Sequence, residues 1–581
     1  MGAGYTGVQM YRTANQLVDA RTALFAAEAL VRQGNLGGAT DQLTRAETRL
    51  SQATITLHSD PVVSLLGAVP VAHQNLAALR RTVSLVYSMA EGGRRALVIG
   101  KPFERPDGKI AVPLRGGAVP LDALTKLRDE LADFSSLLPS THERPSDTFV
   151  IGKIASVQRQ VYSEAARRRG EFSSTSAALD LLADMAGANG PRRYLIVVSN
   201  EAEMRGTGGM YLSYAELTSQ DGVFKLPRVG PIDDIKLPGP PTLDTPPDYV
   251  RRFSALHPET FWRNTNLSGD FTAVAPVAEA MYQRAVGESV DGVIQIDSDG
   301  LAAVLAGVGP VDVPPLGTVT ADNVVALTLN QSYVSFPDRS VRQEYLGEVA
   351  KAAFQKLVSG NFESLRPLAT ALVKTAAERH VLVFSNALGA QRAAVKLGAD
   401  GRLPLPDTDF MEVAVQNLSG NKLDYYLDTS IAVKGERKSN RPSTIEATID
   451  IANRAPPDGR PPYIFGPYDP SLRNGEYKGL VEVYFPRAVQ LAASRGGPFA
   501  GQPSVSSEND RTVVTFGVDP MPGEHRTATL SLRLPSRSLT GYSWTLVPTP
   551  RVRPTSYSIE LVIGDRRYQK SGTLRTAVTV P

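Results

Sequence analysis

Residues 194–209 read YLIVVSNEAEMRGTGG. The short apolar run Tyr194-Leu195-Ile196-Val197-Val198 predicts a buried strand that ends on the polar Ser199 and Asn200. In α/β domains, ligands meet the loops beyond the carboxyl ends of such strands. Here that position holds Glu201, Glu203, Arg205 and Thr207, with Gly206, Gly208 and Gly209 giving three glycines in four positions. Glycines let backbone amides approach an anion closely, and a guanidinium offers a planar fork of donors suited to phosphate. The plainer reading is a tight turn between two strands with a surface arginine.

Working outward from this stretch, Tyr211 to Leu217 reads as a second strand, Asp221-Gly222 as a turn and Val223 to Leu226 as its hairpin partner. A Pro-rich linker follows from Pro238 to Pro247. A helix over Ala275 to Gly287, a strand over Val290 to Ile296 and a helix over Ser298 to Val308 give the succession of a layered α/β domain. A helix over Ser340 to Leu357 and a strand over Val381 to Phe384 extend it.

Upstream, Leu17, Ala20, Leu24, Ala27 and Leu30, then Leu43, Ala46, Leu50 and Ala53, recur at three- and four-residue spacing on either side of the turn from Gly34 to Gly38. They predict a helical hairpin. Further amphipathic stretches at Leu76 to Met89, Leu121 to Leu137, Ile151 to Arg168 and Ser176 to Ala186 predict a module of four to six helices, a spacer, partner surface or simple scaffold. Beyond Asp409, short strand-like runs at Met411–Val415, Tyr425–Val433, Ser443–Ile451, Gly479–Tyr484, Arg511–Val518, Arg526–Leu534, Ser543–Val547 and Ser556–Ile563 predict a β-sandwich. The expected fold is multidomain α+β: an N-terminal helical bundle over residues 1–190, a central α/β domain over 191–408 and a β-sandwich-like domain over 409–581.

The bulk numbers agree with large cores: 581 residues exceed what one core sustains, and 42% are hydrophobic against 21% charged. A net charge of +3 gives no drive for sequence-independent nucleic-acid binding, so no nucleic-acid partner is expected. Zero cysteines remove disulfides, thiolate metal sites and Cys nucleophiles. The longest uncharged run, Pro61 to Leu79, contains Pro70, His73, Gln74 and Asn75 and is a poor membrane span. The opening Met1-Gly2-Ala3-Gly4-Tyr5 lacks the parts of a signal peptide, so export requires an anchor or signal that precedes it.

Two further polar groups complete the candidate chemistry. Before the Ala275 helix lie Arg263, Asn264, Asn266 and Asp270; the arginine supplies positive charge, the asparagines orient oxygens, and Asp270 holds a cation or caps the helix. At the start of the Ser340 helix, Arg339 and Arg342 are three apart on one helical face near a positive helix end, followed by Gln343, a grip for a diphosphate; a solvated charged face is the plainer reading. Six histidines, no Gly-x-Ser-x-Gly elbow and no His-Glu-x-x-His motif leave little for a hydrolase triad or a zinc enzyme. Phosphate chemistry is best served by these residues.

The segments NEAEMRGTGGMYLSY from Asn200, RNTNLSGDF from Arg263, VDGVIQIDSDGLAAVLAGVGPVDVP from Val290 and GNKLDYYL from Gly420 resemble the bacterial domain-of-unknown-function family 4012. The resemblance extends over most of residues 10–581 and implies a membrane-anchored envelope protein. More distantly, the layout of the central region is similar to the LytR-CpsA-Psr phosphotransferases. Val290 to Val313 resembles their strand and helix, and Asp338 to Gln343 their R-x-x-R-Q helix.

That likeness implies a LytR-CpsA-Psr-like α/β domain in which Arg339 and Arg342, with Arg205, bind a polyprenyl diphosphate glycan, and Arg263, Gln343, Gly208 and Gly209 are expected to join them on their own chemistry. Asn200, Thr207, Asn264 and Asn266 are expected to orient it, and Glu203 or Asp270 to serve as general base or metal ligand. Asn200 and Thr207 stand where that family has metal-binding aspartates, which weakens the expectation of Mg²⁺. The expected function is thus extracytoplasmic binding, and in its enzymatic version transfer, of a polyprenyl-diphosphate-linked glycan to a cell-wall acceptor. The alternative is a non-catalytic envelope scaffold binding wall polymers or proteins. A local test separates them: the four arginines should line one concavity if the first holds. Gly420-Asn421-Lys422 is expected to form a turn packing onto the central domain.

Overall fold

Leu17, Ala20, Leu43, Ala46, Leu50 and Ala53 are all buried in the computed structural model, as their spacing predicts. They lie on α1 (Gly2–Arg32) and α2 (Leu36–Ser59), and the Asn35 side chain caps α2 by accepting from the Gly38 N–H at 2.8 Å. This satisfies one of the donors that a helix start leaves open. Three helices follow: α3 (Pro70–Gly100), α4 (Leu121–Leu137) and α5 (Gly152–Met185). Leu76, Leu79, Val83, Ile154 and Val161 join α1 and α2 in one core. The structure describes residues 2–33, 35–61, 63, 70–100, 118–140, 143, 145, 148–243, 247–359, 365–496 and 503–581. Gly34 of the expected turn, residues 62 and 64–69 of the uncharged run and residues 244–246 of the Pro-rich linker lie outside them. No helix among the described residues is long and apolar enough to cross a membrane.

One expectation here fails. The stretches Ile151–Arg168 and Ser176–Ala186 are a single helix, α5, that runs through Gly170. Glycine in a helix costs about 1 kcal/mol. Ion pairs of Glu171 with Arg167 at 2.7 Å and with Arg168 at 3.0 Å straddle it and offset part of that cost.

Residues 1–188 form one compact unit and residues 189–581 a second. The second unit opens with β1 (Arg192–Arg205), β2 (Gly208–Gln220) and β3 (Val223–Pro231). The hairpin between β2 and β3 turns at Asp221-Gly222, both with positive φ, as the sequence predicts. After α6 (Phe271–Val286), β4 (Gly292–Ile296) pairs with β1 in parallel. Then come α7 (Ser298–Val308), the small hairpin β5 (Val311–Val313) and β6 (Gly317–Val319), α8 (Arg339–Ser359), α9 (Leu365–Ala377), β7 (Val381–Ser385) and α10 (Leu388–Leu397). The sheet order is β3-β2-β1-β4-β7, with β1 and β4 its only parallel pair. Leu195, Val197, Tyr211 and Val293 of the sheet pack on Phe271, Val274, Ala278 and Met281.

The rest of the chain makes two six-stranded sheets. One, β12-β15-β10-β9-β17-β18, contains β9 (Leu427–Arg437), β10 (Ser443–Asn453), β12 (Gln490–Gly496), β15 (His525–Leu534), β17 (Thr555–Ile563) and β18 (Arg566–Leu574). The other, β13-β14-β11-β8-β16-β19, contains β8 (Asp409–Asn417), β11 (Gly479–Phe485), β13 (Ser504–Glu508), β14 (Arg511–Val518), β16 (Trp544–Val547) and β19 (Val578–Val580). Their inward residues, among them Met411, Val413, Ile431, Ile449, Leu530 and Trp544, share one core. This is the sandwich that the alternating runs predict.

Sandwich and α/β layer belong to one compact unit. Charged and polar groups cross between them: Arg252 pairs with Glu482 and Glu508, Arg511 with Asp270 at 3.2 Å, and Lys422 with Glu203. The Gln416 side chain donates to the Leu267 carbonyl at 2.6 Å.

Candidate functional site

The stretch NEAEMRGTGG is not a loop beyond a parallel strand. β1 continues to Arg205 and turns at Gly206-Thr207 into β2, pairing Asn200 with Met210 and Arg205 with Gly208. Glu201, Ala202 and Glu203 are taken up in a bulge between Asn200 and Met204, which sends their side chains out of the regular alternation. The glycines serve the chain's own backbone. A Cβ on Gly206 would lie 2.2 Å from the Ser268 carbonyl oxygen, and one on Gly209 would lie 2.0 Å from the Asn200 carbonyl carbon. Gly208 adopts φ +132°, which a side chain would strain.

Arg205 is buried, and protein carbonyls take up its donors. Its Nε donates to the Arg263 carbonyl at 3.1 Å, and its terminal nitrogens to Met204 O at 2.9 Å, Asn417 O at 2.8 Å and Asn264 Oδ1 at 3.1 Å. Burial lowers its pKa, opposed by the nearby Glu203 and Asp424. The other orienting residues likewise hold the hairpin: Asn266 Nδ2 donates to Gly209 O at 2.8 Å, and Thr207 Oγ to Gln295 Oε1 at 2.9 Å. Asn200 Nδ2 donates to the Tyr333 hydroxyl at 3.0 Å.

Arg263 and Arg339 converge. Both guanidinium groups pair with the Asp233 carboxylate, and all three side chains are partly open to solvent. The four arginines therefore do not line one concavity as the glycan reading expects: Arg205 is spent on carbonyls, and Arg342 parts company with Arg339 although the two are three residues apart. It is buried, bends back to donate to Phe336 O at 2.7 Å, and lies 4.8 Å and 4.3 Å from the ring centres of Tyr333 and Tyr463. Those rings stack on each other at 5.4 Å. Lys422 approaches the same pair, with its Nζ 4.2 Å from the Tyr333 centroid. Gln343 is partly buried on the next position of α8.

Glu203 and Asp270, the expected base or metal ligands, are tied up in ion pairs. Glu203 pairs with Lys422. Burial pushes the Lys422 pKa down, but Glu203, then Tyr333 and Tyr463, more than offset this and raise it. Asp270 caps α6 through Thr272 N at 3.1 Å and faces Arg511 at 3.2 Å. The Gly420-Asn421-Lys422 turn therefore does pack onto the α/β layer.

A second constellation lies where β4 ends and the β1 bulge and the start of β7 meet it. Glu201, Asp297, Asp299 and His380 each bring one potential ligand atom within 4.8 Å of the others. Asp297 caps α7 by accepting from Gly300 N at 2.9 Å, and its other oxygen lies 2.6 Å from His380 Nδ1. Burial lowers the His380 pKa, but Asp297 and Asp299 raise it overall to about 9. Glu201 is fully buried, and neither of its carboxylate oxygens meets a hydrogen-bond donor. Burial, then Asp297 and Asp299, push its pKa well above the usual carboxylate range.

Sequence reasoning missed this group. Its available signals were the Asp-x-Asp that closes the strand at Ile296 and a histidine directly before the strand at Val381.

Residues 189–333 match the family model of DUF4012, described as a protein of unknown function. The DUF4012 segment starts where the second unit starts and carries Glu201, Glu203, Arg205, Arg263, Asp297 and Asp299. Arg339, Arg342, His380 and Lys422 lie beyond it. No curated protein and no solved structure matches the chain.

Proposed function

We propose that the second unit binds an anionic, diphosphate-linked glycan at the cell envelope through Arg263 and Arg339. The observation that carries this reading is the meeting of two guanidinium groups, from separate segments, on the partly exposed Asp233 carboxylate. A carboxylate held between two arginines marks a place where donors already converge on an anion, and a diphosphate offers more charge and more acceptor oxygens for the same forks. Arg205 positions the segment, because its Nε holds the Arg263 carbonyl and its Nη2 holds Asn264. Arg342 anchors the start of α8 by returning to Phe336 O.

The envelope location, an N-terminal membrane anchor and the polyprenyl character of the ligand rest on the resemblance of Arg339-Ser340-Val341-Arg342-Gln343 and its neighbours to the LytR-CpsA-Psr phosphotransferases. The same resemblance is the support for transfer to a cell-wall acceptor, whereas Mg²⁺ is left without that family's aspartates, with Asn200 and Thr207 in their place and Glu203 and Asp270 held in ion pairs. A non-catalytic scaffold is the second reading. It is favoured by Arg205 and Arg342, whose donors are committed to the protein's own carbonyls.

The test is titration with a short prenyl diphosphate, with and without Mg²⁺. Arg339→Ala should weaken binding about tenfold, the size of one hydrogen bond to a charged group. Asp233→Asn should strengthen it by removing the internal competitor. Equal affinity in wild type and Arg339→Ala, or no binding in any of the three proteins, would sink the reading and leave the scaffold.

A further inference from the structure

We propose that Glu201, Asp297, Asp299 and His380 form a binding site for one divalent transition-metal ion, of the class of Mn²⁺ or Zn²⁺. The site is separate from the anion grip at Asp233 and does not depend on it. Three carboxylates and an imidazole bring their ligand atoms within 4.8 Å of one another. Ligands about 2.0–2.2 Å from a central ion stand roughly 3–4 Å apart, so the set is near a closed coordination shell.

The decisive member is Glu201. Its side chain is 0% exposed, and both oxygens lack any donor among the described residues. A buried carboxylate is ordinarily answered by a cation, by backbone N–H groups or by water. Here it faces two further carboxylates, which outweigh the small help of its own backbone N–H, and His380 completes the group. Asp297 already uses one oxygen to cap α7 and the other toward His380, so it meets Glu201 as a second carboxylate, and the pair needs a proton or a cation between them. With a neutral imidazole the three carboxylates carry three negative charges, and a divalent ion reduces this to one.

Position and access fit as well. The cluster lies just past the last parallel pair of β1 and β4, Val198 with Ile296, between the β1 bulge and the carboxyl end of β4, close to where open α/β sheets commonly place ligands. Asp299, with its side chain 35% exposed, provides the way in, while the other three are buried. Carboxylates favour Mg²⁺, Ca²⁺ and Mn²⁺, and imidazole favours Zn²⁺ and its neighbours, so the mixed set selects the overlap. Arg575 and Glu378 are the nearby charged groups outside the cluster, and they oppose each other at Asp299.

The experiment uses the whole chain, freed of metal with a chelator, in calorimetric titrations with Mn²⁺, Zn²⁺, Mg²⁺ and Ca²⁺ and no organic ligand. One equivalent of Mn²⁺ or Zn²⁺ should bind, more tightly than Mg²⁺ or Ca²⁺, and raise the melting temperature. Glu201→Gln, which keeps the shape of the side chain, should lose at least ~10-fold in affinity, the loss that even an outer-shell partner can cause. Asp299→Asn, at the partly open edge, should weaken binding likewise and decides the matter if Glu201→Gln does not fold. No binding of any of the four ions to wild type, which leaves a proton shared between Glu201 and Asp297, would overturn the proposal. Unchanged affinity in the folded variants would overturn it too. Because no diphosphate is present, this outcome is independent of the anion reading.

Discussion

Glu201 and Glu203 stand two residues apart on one bulged strand and are both buried, yet they are treated oppositely. Glu203 meets the Lys422 ammonium, delivered from the sandwich by the Gly-Asn-Lys turn and flanked by two tyrosine rings. Glu201 meets carboxylates. Removing a charge from water costs several kcal/mol unless the surroundings answer it. The chain answers Glu203 from within and leaves Glu201 to a proton or an incoming cation. Burial alone therefore does not distinguish a structural carboxylate from a ligand-seeking one; the neighbour does.

The comparison can be broken most forcefully at Lys422. Lys422→Met should cost about 3–5 kcal/mol in denaturant unfolding, because it leaves Glu203 buried and uncompensated. Adding Glu203→Gln should recover most of it, and no recovery would show that the lysine acts through packing alone.

Glu412 sharpens the comparison as an intermediate case. Arg379 approaches it at 3.7 Å, but its oxygens meet no hydrogen-bond donor, and burial pushes its pKa up to about 8 despite Arg379. Its folded form favours the proton. Stability should therefore be greatest below the usual carboxylate range and fall, on the order of 4–5 kcal/mol, as pH rises through 8. Glu412→Gln should flatten that slope, and an unchanged pH profile would refute the assignment.

Smaller effects follow at the hairpin. Arg205→Met strands several carbonyl acceptors and should destabilise by about 2–3 kcal/mol, measured by urea midpoint. Were Arg205 instead chiefly a ligand group, its loss would change affinity and leave the midpoint in place. Tyr211→Phe removes the 2.8 Å bond from the hydroxyl to Gln295 and should cost about 1 kcal/mol.

What was legible in the sequence was local. Ser298 to Val308 reads as a helix with the bounds it adopts, because Asp297 caps it and Gly309 stops it. Arg511 to Val518 reads as a strand with the same bounds. Glycine spacing at 206–209 correctly announces close backbone approach, but it is silent on what approaches. A phosphate and the chain's own Ser268 carbonyl demand the same missing Cβ. The pairs that decide the site are remote, with Lys422 219 residues from Glu203 and His380 83 residues from Asp297. Periodicity carries no information at that range, and the bulge that reorients Glu201 has no local signature. The Asp338 cap and the return of Arg342 to Phe336 O also explain why two arginines three apart separate.

The charged seam between sheet and sandwich bears on modularity. The segment matched by the family model ends at residue 333, but Glu203, Arg252 and Asp270 within it find their counter-charges at Lys422, Glu482, Glu508 and Arg511, all beyond that end. The stretch that the family model matches and the stretch that holds these ion pairs are thus different lengths of the same chain. A recombinant fragment cut at the first boundary would leave these three charges on an uncovered face without their partners, whereas one that runs from 189 to 581 would carry the partners with it.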